Sequence, residues 1–239
     1  MDGFTYHNIF QTKGIEYIVI IIFLLSLIPY WVLMNRRARM AGYSRSPRRR
    51  FSKEKITIPG GLFFSRNHTW AHLERSGLAK IGLDNLLIHI TGSVDIRFLR
   101  NAGEDIVKGD LILEMKQQDK MLRIFSPVSG RISRANADVL EDDDILAEDP
   151  YGKGWLYEIT PTAWVKETHT FFMAEEALEW SVGEFEKFRD FIARSTAKHS
   201  PEPSFITLQD GGELADHVLS VLPAEVWNDF QQEFLENIN

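Results

Sequence analysis

The 239-residue chain contains no cysteine. That absence excludes a disulfide framework, a thiolate nucleophile, cysteine-ligated zinc, an iron–sulfur cluster and a covalently attached c-type haem. The chain also lacks a G-x-S-x-G elbow, a phosphate-binding loop and a nucleotide-binding glycine motif, so nothing specific supports an enzyme. Redox or group-transfer chemistry must then use a bound or attached cofactor, or belong to a partner. The net charge of −7 is mild, but acids and bases are unevenly distributed.

Residues 17–34 read YIVIIIFLLSLIPYWVLM, without a charge. Eighteen such residues are long enough for a helix to cross the hydrocarbon core, and Tyr30 and Trp31 stand where amphipathic rings favour the headgroup zone. A cleaved signal peptide fits less well, because the positive charge follows the apolar run and no small-residue cleavage pattern appears. Residues 35–55 hold nine basic residues against Glu54, a net of +8. Residues 1–34 are −1, which leaves −14 of the total −7 for residues 56–239. The basic flank is expected to stay on the cytoplasmic side, so the N-terminus is outside and the body is cytoplasmic. Arg36, Arg37, Arg39, Arg48, Arg49 and Arg50 are the candidates for contact with anionic lipid headgroups. Nucleic acid is a poor partner, because the acidic body would repel phosphate.

Short apolar runs then alternate with Gly, Asn, Asp and Pro from Ile56 to Pro161. Stretches at 71–74, 78–83, 95–99, 110–115 and 121–125 have strand length and partial period-two alternation. Asp84 is placed to cap a short helix to Ile90. Gly103 and Gly109 suit turns that need positive φ, and Pro127 and Gly130 bracket another turn. Many short strands in about a hundred residues point to a small barrel or sandwich.

These pieces resemble the glycine cleavage system H protein family, in order. Asn67-His68-Thr69-Trp70 is similar to its H-x-W entry, and Ile81-Gly82-Leu83 to a V-G-I strand. Thr91-Gly92-Ser93-Val94 is similar to its L-G-x-I segment. Ala102-Gly103-Glu104 with Val107-Lys108-Gly109 follows its G-x-x-V-x-x-G stretch. Phe125-Ser126-Pro127-Val128-Ser129-Gly130 resembles Y-S-P-V-S-G, and 149–156 resembles D-P-Y-G-x-G-W-L. The resemblance covers about residues 62–162 and implies a hybrid barrel-sandwich of the lipoyl/biotinyl type. The expected fold is mainly β with α: an N-terminal transmembrane helix, this domain, and a C-terminal helical extension. The boundaries are 1–16, 17–34, 35–61, 62–162 and 163–239.

The resemblance also implies lipoate on a lysine at a hairpin tip, in E-S-V-K. Counting from Glu114, that position is Gln117; counting back from Pro127, it is Asp119. Glu to Pro spans 13 residues here, against eleven in the family motif, so the hairpin is longer. Lys116 and Lys120 are the nearest candidates for attachment. Lys116 lies in Glu-Met-Lys, similar to the biotin acceptor A-M-K-M; Lys120 lies in Asp-Lys-Met, similar to a lipoyl D-K-A. A one-residue slip in a strand turns a side chain to the other face, though less decisively at a tip. The slipped register favours an ordinary surface hairpin with no cofactor; the alternative is lipoate on Lys120 or Lys116.

His68 and His72 read as strand residues about 13 Å apart, too far to share a metal ion. The acids at 141–144 lack the spacing of a calcium loop and read as a solvated face. Residues 174–194 predict a helix with a stripe at Leu178, Val182, Phe185, Phe188 and Ile192. Residues 214–238 predict a helix or helix pair, Pro223 opening its second piece, with Val226, Trp227, Phe230 and Phe234 on the apolar face. That face packs on the chain's own barrel or docks on a partner, which makes Trp227, Phe230 and Phe234 docking candidates. The sequence thus predicts a non-catalytic accessory or scaffold subunit of a bacterial inner-membrane complex, with a respiratory electron-transfer complex as one setting and integral-membrane and cytoplasmic subunits as partners. A membrane-anchored lipoylated carrier is the alternative.

Overall fold

The computed structural model describes Tyr17 and residues 20–27, 50–51, 56–142, 144–199 and 214–236; at 50–51 and 214–215 it describes the backbone alone. The chain divides into two compact units, Met1–Pro47 and Arg48–Asn239. In the first, residues 20–27 are helical with exposed side chains. Among the described residues no helix is long and apolar enough to cross a membrane. Residues 18–19 and 28–34 of the predicted span lie outside the described residues, as do Arg36, Arg37, Arg39, Arg48 and Arg49.

The second unit is mainly β. Strands β1 (Arg50–Phe51), β2 (Phe63–Phe64), β3 (Thr69–Leu73), β4 (Ala79–Leu83), β5 (Asp95–Phe98), β6 (Asp105–Ile106), β7 (Leu111–Gln117), β8 (Lys120–Phe125), β9 (Gly130–Ala135), β10 (Trp155–Pro161) and β11 (Leu214–Ala215) form three sheets. The largest has the order β2-β3-β4-β10-β9-β6; β5-β7-β8 forms the second, and β1-β11 a two-stranded ladder. The first two enclose a core that includes Ile81, Leu83, Ile112, Leu113, Leu122, Ile124, Ile132 and Ile159. Alternating burial along β8 and β9 expresses the period-two pattern.

Local chemistry agrees with the predicted punctuation. Asp84 Oδ1 accepts from Leu87 N–H at 2.8 Å and so caps helix α1 (Asn85–Thr91). Gly109 has φ +90°, a conformation that costs a residue with Cβ. Gly130 sits so close to β10 that a Cβ would come within 2.5 Å of Thr160 O. Helices α2 (Asp138–Glu141) and α3 (Asp144–Glu148) carry the acidic run, whose described members Glu141, Asp142 and Asp144 are exposed.

Two helical pieces finish the unit. After α4 (Trp164–Thr168), helix α5 runs from Ala174 to His199, five residues beyond the predicted end. Its buried face is Ala177, Ser181, Phe185, Phe188, Phe191, Ile192 and Ser195. Leu178, expected in the stripe, is 41% exposed, because the residues that face the core begin one place earlier at Ala177. The last segment departs further from its helix pattern: β11, a 3₁₀ turn at Val218–Val221, helix α6 (Ala224–Phe230) and a wide helical turn at Gln231–Leu235. Pro223 is the cap of α6 rather than its first residue. Phe188 and Phe191 of α5 meet Phe230 and Phe234 at ring separations of 5.4 to 6.0 Å.

Candidate functional site

The candidate site is the β7–β8 hairpin and the chain that covers it. Gln117 pairs with Lys120 across the two-residue turn Gln118–Asp119. Both turn residues are exposed, and Gln118 takes the left-handed φ of +57° that such turns use. The tip therefore presents an amide and a carboxylate, with no amine at either position.

Lys116 lies on the outer face of β7, exposed, opposite Asp95 and Met121. Lys120 starts β8 and shares the buried face of Leu122 and Ile124, because side chains repeat every second residue. It is only 6% exposed. Its Nζ donates to Ser220 O at 2.6 Å and to Leu222 O at 3.4 Å, and lies 5.1 Å from the centre of the Trp227 ring. Burial pulls its pKa below the usual lysine range, with Asp119 opposing the shift. The expected surface lysine is thus an enclosed one. Its enclosure comes from residues a hundred positions further along the chain.

The C-terminal segment also completes the β8 edge. Arg123 N–H donates to Gln231 Oε1 at 2.8 Å, and Gln231 Nε2 donates back to Arg123 O at 3.2 Å. This side chain satisfies backbone groups that an edge strand leaves open. Trp227 Nε1 donates to Leu219 O at 2.7 Å, fixing the 3₁₀ turn against α6. Trp227, Phe230 and Phe234, the three docking candidates, are buried in the unit's own core rather than presented outward.

A second polar cluster ties the barrel to α5. His68 has φ +58° and is 1% exposed. Its Nδ1 is 2.7 Å from Asp84 Oδ2, and its Nε2 is 3.6 Å from Glu184 Oε2, an ion-pair separation rather than a hydrogen bond. Burial alone would lower the His68 pKa, but Asp84 and Glu184 outweigh it and raise it to about 9. His72 points elsewhere, with Nδ1 3.0 Å from Gly61 O. No group of three or more His, Cys, Asp or Glu suited to a metal ion occurs among the described residues.

The structure joins Lys120 to Trp227 and leaves Lys116 apart. Sequence reading missed Ser220, Leu222 and Gln231, since two of them act through backbone carbonyls that carry no side-chain signature.

The sequence model described as "Glycine cleavage H-protein" matches residues 62–184. The probable glycine cleavage system H protein of Pyrococcus horikoshii is 26% identical over 123 residues, 52% of this chain and 91% of that protein. The glycine cleavage system H protein of Stenotrophomonas maltophilia is 29% identical over 105 residues, 44% of this chain and 80% of that protein. The crystal structure of a glycine cleavage system H protein from Mycobacterium marinum matches 53% of this chain and 99% of its own, with a TM-score of 0.43 and 26% identity.

Proposed function

The chain belongs to the glycine cleavage H-protein family, and from that membership we propose that it is a non-enzymatic carrier bearing lipoate on Lys120. One observation carries this reading: Lys120 closes the turn of the hairpin on which this family bears its lysine-linked lipoate. A lysine suits the task because its amine forms a stable amide on a long stem. When bound, lipoate supplies a sulfur arm that carries a group between partner enzymes. The surroundings of Nζ suit an amide in part: its single N–H retains a donor for Ser220 O, and the buried positive charge is removed. The acyl chain has to leave past Gln118 and Asp119, which are exposed.

The carrier is held at a bacterial inner membrane by residues 17–34, N-terminus outside, with Arg36, Arg37, Arg39, Arg48, Arg49 and Arg50 against anionic headgroups. The uncharged run of eighteen residues and the +8 collar support this part. Co-expression of the full chain with a lipoate–protein ligase, with lipoate supplied, tests the attachment. A lipoyl group on Lys120 is expected, kept in Lys116→Arg and lost in Lys120→Arg. An unmodified chain in cells whose own H protein is lipoylated would overturn the reading.

A second reading is favoured by the amine-free tip and by the enclosure of Lys120 under Trp227. Here the domain carries no cofactor and acts as an accessory or scaffold subunit of an inner-membrane complex, such as a respiratory electron-transfer complex. Stoichiometric membrane subunits co-purifying in mild detergent with an unmodified chain would support it. Elution of the chain alone would exclude it.

A further inference from the structure

The two carbonyls that hold Lys120 come from one short piece of chain. Residues 217–222 run over the amine between two fastened ends. At the near end His217 takes a left-handed φ of +60°, and its N–H donates to His89 O at 2.7 Å. Beside it, Asp216 Oδ1 lies 3.0 Å from His89 Nδ1. At the far end Pro223 is extended, and α6 begins directly after it. In between, Leu219 O is held by Trp227 Nε1, while Val221 is 53% exposed and turned away from the core. The rings of Phe230 and Phe234 follow later, in the same core cluster. Val218, Leu219 and Leu222 of this piece are themselves buried, so lifting it exposes apolar side chains, while Phe230 and Phe234 keep their packing on Phe188 and Phe191 of α5.

We propose that residues 217–222 form a strap that gates the Lys120 amine. Closed, its carbonyls at Ser220 and Leu222 hold Nζ and keep it from any acylating partner. Lifted, the same lysine stands beside the exposed tip of the hairpin, free of its two acceptors. The purpose of the gate rests on the carrier reading, whereas the gating itself concerns only access to an amine. The strap lies outside the family-matched residues 62–184, so the device belongs to this chain's own extension.

Amine acetylation measures access directly. The purified, unmodified full chain is treated with an N-hydroxysuccinimide ester of acetate, and peptides are followed over time, with exposed Lys116 as the internal reference. Lys120 is expected to react at least ten-fold more slowly than Lys116. Two gentle variants loosen the strap at different ends: Trp227→Phe removes the donor to Leu219 O, and Asp216→Ala removes the contact with His89. Each should speed Lys120 several-fold and leave Lys116 unchanged. Lys120 reacting as fast as Lys116 in the unaltered chain would overturn the gate, as would unchanged rates in both variants. A gate that behaves as expected on a protein never found lipoylated would remove the carrier reading and leave the gate.

Discussion

Lys120 Nζ lies 2.6 Å from the carbonyl oxygen of Ser220, a contact between residues one hundred positions apart. It joins the family's functional hairpin to a segment outside the family-matched region. The ammonium is matched by acceptors only, so charge reversal is the sensitive test. Lys120→Glu sets a carboxylate against two carbonyl oxygens and should cost about 3 kcal/mol or more, as an unpaired buried charge does. Lys120→Met keeps an apolar stem under Trp227 and sheds a desolvated charge but takes the donor from Ser220 O and Leu222 O, and should cost less, about 1–3 kcal/mol. Urea midpoints of the two variants check this order.

Trp227 roofs the lysine and fills the core between α6 and the 3₁₀ turn. Trp227→Ala should destabilise the domain by about 3–5 kcal/mol, the range for removing a fully buried large ring. Thermal unfolding should show a clear fall in midpoint. A change within error would mean that the C-terminal segment is not part of the core.

His68 makes stability depend on alkali. Its folded pKa, about 9, lies above the unfolded value of 6.5. The stabilisation is therefore full below pH 6.5 and is lost as pH rises through 9. At most on the order of 3 kcal/mol is involved, from the free-energy equivalent of each pH unit. Urea midpoints should fall between pH 6.5 and 9.5, and His68→Gln should flatten that fall while lowering stability at pH 6.5.

Gly130 and Gly60 give a paired comparison. A Cβ on Gly130 would meet backbone at Thr160 O, 2.5 Å away, whereas one on Gly60 meets nothing within 4 Å. Gly130→Ala should cost about 1–3 kcal/mol, the range for overpacking. Gly60→Ala should stay within about 0.5 kcal/mol, as a surface change does. Differential scanning calorimetry of both variants reads the difference.

The β domain was legible because its signals are local. Alternation predicts β3, β4, β7 and β8, Asp84 announces its own helix, and Gly103 and Gly109 take the positive φ their turns need. The C-terminal segment was not, because tertiary contacts override its 3.6-residue pattern. His217 is left-handed, Leu214–Ala215 pairs with Arg50–Phe51, and a helix begins only after Pro223. Lys120 shows both sides of this. Its register with Leu122 and Ile124 turns it inward, a consequence of period two. Its cover comes from Ser220, Leu222 and Trp227, which no spacing near the hairpin announces.

A carrier of this family needs lipoate on a lysine, and Lys120 is the residue proposed for it. Peptide mapping by mass spectrometry, on the protein purified from the cells that naturally make it, decides whether the group is there. One lipoyl group per chain is expected, in amide linkage on Lys120, with Lys116 unmodified. A population in which Lys120 is wholly unmodified, or in which the lipoyl group sits on Lys116, would contradict it.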